Sequence, residues 1–390
     1  MNGMVIVGGG LVAATAADTL RREGYDGPIT IVGDELQAPY QRSMLVPWVL
    51  DGACARWSLV HPWEWYDDHE VTLELGSRAV SIDRSRREVV LDHGGRVGFD
   101  RLLLANGARD QPLDIPGLDL TRVCRVRDLD QVKAARQLLE HGAEEVAVLG
   151  GGPVALETAA AAAATGAHVT LLDIDHQPWV RRIGWRVGPM LRQVLGNVGV
   201  EVRCDAGVAE ICPLGGEVAA VRLHNGIVLP SDLVLVAPDG VANDELAGDA
   251  GLEVADGIVV DATMSTTDPH IFAAGDVSRA YCSELGWHVR MESADRARGQ
   301  AQVAAMGMLG QAAMDGTLPT RVSDLAGHRL EFTGAIDPDQ FHEVYLAGEA
   351  ASGFTARWLD QSGRVDATLR VDRLEPRRRL AALAKYQHSG

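Results

Sequence analysis

The chain has 390 residues, 46% of them hydrophobic, and a formal net charge of −18. That length accommodates two or three domains with substantial cores. The charge argues against nucleic acid or an anionic membrane as a partner, and no run approaches the roughly 18 to 20 apolar residues of a membrane span.

The N-terminus enters an apolar run, Met4 to Val7, with no basic region before it. It reads as the first strand of the fold and not as a signal peptide, which predicts a cytoplasmic protein. The run meets Gly8-Gly9-Gly10-Leu11-Val12-Ala13 and an Ala-rich helical stretch, and the next strand, Ile29 to Val32, runs into Asp34 and Glu35. In such a unit the first glycine makes the tight turn and the second lets backbone approach a pyrophosphate. The helix start offers free N–H groups, and the acid accepts hydrogen bonds from a ribose diol. Ala13 replaces the third glycine, which serves only helix-to-strand packing.

From Gln37 to about Trp65, with Pro39, Pro47 and Pro62, the sequence predicts an irregular stretch that covers a ligand. Strands are expected over Ala79–Asp83 and Glu88–Leu91 and from Arg101 into Ala105-Asn106-Gly107, then a helix from Leu129 to Leu139. A second unit begins at Val146. It has Gly150-Gly151-Gly152-Pro153-Val154-Ala155, an Ala-rich helix, and a strand from Val169 that ends at Asp173. One such fingerprint also arises from packing alone; two complete strand–turn–helix–strand–acid units point to two dinucleotides. A strand from Asp232 to Val236 closes this inserted segment, and the chain returns to an apolar strand from Ile271 to Gly275-Asp276. Strands at 343–346, 354–359 and 366–371 and a final helix make a small C-terminal module.

The predicted class is α/β: two Rossmann-like dinucleotide-binding domains, one inserted in the other, plus a small C-terminal α+β domain. The expected boundaries are 1–115 with 243–318, then 116–242, then 319–390. The five cysteines, Cys54, Cys124, Cys204, Cys212 and Cys282, form no CxxC pair and read as reduced thiols, with Cys54 in a loop where a reactive thiol is conceivable. No HExxH or Cys/His spacing suggests a metal. Arg377, Arg378 and Arg379 form a basic patch, either a docking surface or a solvated helix face.

These motifs together resemble the FAD-dependent pyridine nucleotide oxidoreductases, in particular their ferredoxin and rubredoxin reductase branch, over nearly the whole chain. The resemblance implies that Gly8, Gly10, Ala13, either Asp34 or Glu35, Arg42, Ala105, Gly107, Gly275 and Asp276 hold FAD. It implies that Gly150, Gly152, Glu157 and Asp173 hold the nicotinamide dinucleotide, with Arg290, Met291, Glu292 and Gln300 beside the flavin. Asp173 favours NADH over NADPH, because it would repel a 2′-phosphate.

Three departures stand out. Met44-Leu45-Val46-Pro47 replaces a segment carrying a Lys near the flavin, so Glu157 loses its usual cation unless Arg290 or another base supplies one. Ala237-Pro238-Asp239 replaces a Gly-Ile-Gly loop. Arg321-Val322 and Ala294 stand where aromatic residues are expected. The flavin has no neighbouring cysteine near Ser43 to Pro47, which argues against disulfide reduction.

The implied activity is hydride transfer from NADH to FAD, then electrons onward to a ferredoxin-like iron–sulfur protein. Against it stand the altered nicotinamide side and a charge that would not steer an acidic ferredoxin. The alternative is FAD-dependent redox of a small-molecule substrate; a non-enzymatic FAD-holding sensor is a third reading. A homodimer is compatible with all three.

Overall fold

In the computed structural model, residues 2–50, 59–337, 340 and 342–373 are described. Cys54, the basic run at Arg377 to Arg379 and the expected final helix lie outside them. The chain forms two compact units. One comprises Met1–Arg42, Arg56–Arg109 and Gly240–Arg321; the other comprises Ser43–Ala55, Asp110–Asp239 and Val322–Gly390.

The first unit is built on a sheet whose strand order is Val71–Leu75, Ile29–Gly33, Gly3–Val7, Arg96–Leu104, Glu88–Leu91, Ala79–Asp83, with Ile271–Ala273 also paired to Arg96–Leu104. Gly3–Val7 runs parallel to both neighbours, with Val7 opposite Val32 and Leu104. The expected strand at Arg101 begins earlier, because the front of Arg96–Leu104 pairs antiparallel with Glu88–Leu91 while its back half stays in the parallel part. Every residue of Gly3–Val7 is buried, as befits a parallel strand covered on both faces. Helix Leu11–Arg22 packs on that sheet through Val12, Ala13, Ala14, Ala16, Ala17 and Leu20, and against helix Ala294–Met308. Small side chains on the buried face let the helix lie close to the strands.

The second unit repeats this design. Its sheet has the order Val200–Arg203, His168–Leu172, Glu145–Leu149, Leu233–Val236, Val123–Arg125, all parallel, with helix Pro153–Ala163 after the second glycine loop. A three-stranded antiparallel meander, Val208–Leu214, Glu217–Leu223 and Val228–Pro230, accompanies it. Residues Leu45–Leu50, expected to be irregular, instead form a wide helical turn that lies against helices Leu129–Glu140 and Pro153–Ala163. Arg136 Nη1 donates to the Leu50 carbonyl at 2.9 Å, which holds its end.

The described C-terminal strands form a five-stranded sheet in the order Thr320–Leu325, His328–Gly334, Val365–Arg373, Gly353–Leu359, Glu343–Glu349. Its inner face meets the loop after the second dinucleotide strand through aromatic rings. Phe332 lies 5.7 Å from Trp179 and 5.8 Å, edge-on, from Trp358. Trp358 is 2% exposed and donates its indole N–H to the Ile183 carbonyl at 3.2 Å.

Phe332 is the middle ring of this contact. Phe332→Ala is expected to lower unfolding stability by about 3–5 kcal/mol, the usual cost of deleting a buried aromatic. Urea denaturation at unchanged slope should show it; a loss below about 1 kcal/mol would mean that the ring only fills a surface gap.

Candidate functional site

The two glycine loops are built alike. Gly8 has φ +124, and a Cβ there would stand 2.2 Å from the Ala105 carbonyl oxygen; Gly150 has φ +137, and its Cβ would stand 2.2 Å from the Ala237 carbonyl oxygen. Gly8 N–H donates to the Val32 carbonyl at 2.7 Å, and Gly150 N–H to the Leu172 carbonyl at 3.0 Å. Only glycine fits where backbone crosses backbone this closely at positive φ. Each loop ends in an N-cap glycine, Gly10 or Gly152, with no side-chain cap and no acid in the first helical turn. The first N–H groups of both helices thus have no capping partner from a side chain, and the helix dipole adds partial positive charge. Ala13 and Ala155 are fully buried on the strand side.

At the first loop the structure separates the two candidate acids. Asp34 is exposed and faces Arg78 at 3.4 Å. Glu35 is half-buried, accepts the Tyr40 hydroxyl at 2.8 Å and pairs with Arg42, whose Nη1 also meets the Tyr40 oxygen at 2.6 Å. The Arg42 guanidinium sits over the Tyr40 ring, 5.0 Å from its centroid. Tyr40 is therefore part of the cluster, a role the sequence showed only as its place before Arg42.

Gly275 has φ +80 and donates its N–H to Gln300 Oε1 at 2.9 Å. Ser278 Oγ binds the same Gln300 oxygen at 3.0 Å and the Gly275 carbonyl at 2.9 Å. This buried knot fixes the short helical turn Gly275–Val277 that carries half-buried Asp276. Gly107, at φ +63, accepts the Asn243 N–H at 3.0 Å.

Arg290 is 4% exposed at its side chain. Its guanidinium is divided among Asp256 at 3.0 Å, Glu292 at 3.3 Å and the Gly240 carbonyl at 3.1 Å. Asp256 has no motif around it and was not visible in the sequence. Arg321 Nη1 donates to the Glu292 carbonyl at 3.1 Å.

At the second loop Asp173 is 2% exposed and leans over the glycines, so that a Cβ on Gly151 would collide with its Oδ2 at 1.9 Å. Its Oδ1 accepts the Asp175 N–H at 3.0 Å, while Oδ2 is buried with no hydrogen-bond donor among the described residues. Burial, reinforced by Asp175 and Asp239 and opposed by the Asp175 N–H and Arg181, pushes its pKa up to about 6. A second carboxylate crowds the helix start: Asp239 Oδ1 would lie 2.4 Å from a Cβ on Gly152. Asp239 closes the Ala237-Pro238-Asp239 segment, where the family resemblance implies a glycine. Pro47 sits in the Leu45–Leu50 turn, and that turn lies against the helix bearing half-buried Glu157.

Both loops fit a dinucleotide. The uncapped helix starts and crossing glycines suit a pyrophosphate, and the buried Asp173 oxygen suits a ribose diol, whose hydroxyls would supply the donors it lacks. An open groove of about 620 Å³ beside the edge strand Val200–Arg203, lined by His176, Arg192 and Cys204, contains none of the glycine-loop residues. No group of three or more metal-ligating side chains occurs among the described residues.

A family model described as pyridine nucleotide-disulphide oxidoreductase matches residues 3–301. The chain is 36% identical over 350 residues to the ferredoxin–NAD(+) reductase component of the biphenyl dioxygenase system of Paraburkholderia xenovorans (strain LB400), covering 90% of this chain and 85% of that one. Among solved structures it is similar to the ferredoxin reductase for the CYP199A2 system of Rhodopseudomonas palustris, with a TM-score of 0.86, 31% identity, and coverage of 95% and 92%. It also matches a covalent putidaredoxin reductase–putidaredoxin complex, with a TM-score of 0.89, 30% identity, and coverage of 99% and 93%.

Two outcomes follow from the second loop. A carboxyl group whose folded pKa is raised stabilises the fold below its unfolded value near 4, and that contribution disappears as pH rises through about 6. Asp173→Asn should therefore be the more stable protein above pH 6, by about 1–3 kcal/mol, and should show a flatter pH–stability curve between pH 4 and 6. Equal slopes in chemical denaturation across that window would refute the buried-charge account. Asp239→Gly removes an anion from the helix start and should lower the KM for NADH several-fold. An unchanged or higher KM would show that Asp239 does not oppose the coenzyme phosphates.

Proposed function

Because the chain belongs to the pyridine nucleotide-disulphide oxidoreductase family, we propose that it is an FAD-dependent NADH reductase serving a ferredoxin-like iron–sulfur protein. The observation that supports this best is the repeated construction of the two glycine loops, each with a close backbone crossing and an uncapped helix start. In this reading the first loop binds FAD and the second binds NADH. When bound, FAD would accept a hydride from the nicotinamide and release electrons one at a time.

The protein's own groups bind and orient. The first helix start and the Gly275–Val277 turn cradle the FAD phosphates and ribityl chain, with Asp276 as a hydrogen-bond partner. Glu35, steadied by Tyr40 and Arg42, accepts hydrogen bonds from the adenosine ribose, and exposed Asp34 is the lesser candidate. Asp173 accepts the NADH ribose hydroxyls and disfavours a 2′-phosphate. Arg290, through Asp256, Glu292 and the Gly240 carbonyl, positions backbone and does not act as a free cation. Glu157, half-buried on the helix that follows the second loop, is a candidate for handling a proton. The alternative reading, redox of a small-molecule substrate, gains support from Asp239, whose carboxylate narrows the second loop. A homodimer is compatible with either, and nucleic acid is not an expected partner of so acidic a chain.

The purified protein should be yellow with one FAD per chain. Anaerobic mixing with NADH should bleach the flavin in a single turnover, and a ferredoxin-like protein should reoxidise it faster than oxygen does. A protein that takes up no FAD would end the reading. Bleaching by NADH without reoxidation by any iron–sulfur protein, but with reoxidation by a small organic acceptor, would favour the alternative.

A further inference from the structure

The loop after Asp173 is fixed at both ends of a short helical turn. Trp179, in the left-handed region at φ +58, donates its N–H to the Gly151 carbonyl at 2.7 Å. At the other end the carbonyl of fully buried Ile183 accepts the Trp358 indole. Arg181 lies between these anchors, so its backbone is held in place beside the second glycine loop while its side chain stays 56% exposed.

The side chain is not at liberty, however. Arg181 Nε donates to Asp175 Oδ2 at 2.6 Å and Nη2 to Oδ1 at 3.1 Å, a two-pronged pair. Asp175 is itself tethered: its N–H donates to Asp173 Oδ1 at 3.0 Å, and its carbonyl accepts the Asp205 N–H at 2.9 Å. The hydrogen bond to Asp175, then the charges of Asp175, Asp239 and Asp173, push the Arg181 pKa above its usual value. The Arg181 guanidinium therefore lies in the field of the ribose acceptor Asp173 and of two further carboxylates, Asp175 and Asp239.

A dinucleotide carrying a 2′-phosphate needs a cation there, and a nearby arginine is the usual solution. This chain places an arginine within electrostatic reach of Asp173 and then occupies it with a carboxylate. We propose that Asp175 sets coenzyme selectivity by holding Arg181 so that it cannot receive a ribose 2′-phosphate. Asp173 rejects the phosphate by charge, and Asp175 removes the group that would have welcomed it. Asp175 is thus a positioning residue that acts through Arg181.

The inference rests on the reading that the second loop takes the adenosine half of NADH, and the experiment separates the two. Calorimetry on the FAD-loaded protein would use 5′-AMP and 2′,5′-ADP as probes, with wild type, Asp173→Asn, Asp175→Asn, Asp175→Glu, Arg181→Ala and the Asp175→Asn/Arg181→Ala double variant. Asp175→Asn should tighten 2′,5′-ADP about five-fold, the size of an exposed ion pair, and leave 5′-AMP within about two-fold. Asp175→Glu, which keeps a carboxylate for Arg181, should show no gain, and the double variant should lose it. In steady state the Asp175→Asn gain should appear as a lower KM for NADPH at unchanged kcat. A 2′,5′-ADP affinity unmoved by Asp175→Asn, or a gain that survives removal of Arg181, overturns the proposal. If Asp173→Asn leaves 5′-AMP binding unaltered, the coenzyme-site reading fails, and the selectivity proposal falls with it.

Discussion

The structure depends on one close approach made twice: the backbone of a glycine crossing the carbonyl that ends a neighbouring parallel strand. Gly8 against Ala105 and Gly150 against Ala237 leave no room for a Cβ, so each strand can turn directly into its helix with the helix start open. Much of the surrounding sequence serves this geometry. The buried apolar strands set the carbonyls in register, and the alanines of Leu11–Arg22 and Pro153–Ala163 let the helices lie low on their sheets.

The two copies differ in their electrostatics. Around the first loop the acid is compensated, since Glu35 shares its charge with Arg42 and the Tyr40 hydroxyl. Around the second, Asp173 is buried beside Asp175 and Asp239, and Arg181 is engaged by Asp175. Burial holds the Asp173 carboxyl at a pKa of about 6, a cost to stability at neutral pH that ribose hydroxyl donors would offset, so stability is given up there in favour of recognition. The same excess of negative charge narrows what the site accepts: a diol suits it, and a second phosphate does not.

Much of this was legible in the sequence, because glycines that permit a crossing and an acid at a strand end occur at fixed spacing. Both fingerprints, the strands around them and helix Leu129–Glu140 could be read directly. Whether Asp34 or Glu35 faces inward could not, since both follow the strand end at Gly33 in a bend where no strand alternation fixes their direction, and only the Tyr40 and Arg42 contacts separate them. The turn Leu45–Leu50 was hidden by Pro47 and by Pro39 and Pro62 on either side, which read as loop, whereas packing on two helices stabilises a helical turn around Pro47. Asp256 and Asp175 act through contacts with no motif around them, so only the folded chain reveals them, whereas the Ala237-Pro238-Asp239 segment was visible and the structure adds where the Asp239 carboxylate lies.

The central claim is that each loop serves its own dinucleotide, and separate substitutions at the two crossings test it most directly. Flavin content and NADH binding would be measured on Gly8→Ala and Gly150→Ala proteins. The account predicts that Gly150→Ala retains the bound flavin but loses NADH binding, while Gly8→Ala loses the flavin. A Gly150→Ala protein that binds NADH as tightly as wild type, or a Gly8→Ala protein that keeps its flavin, would contradict it.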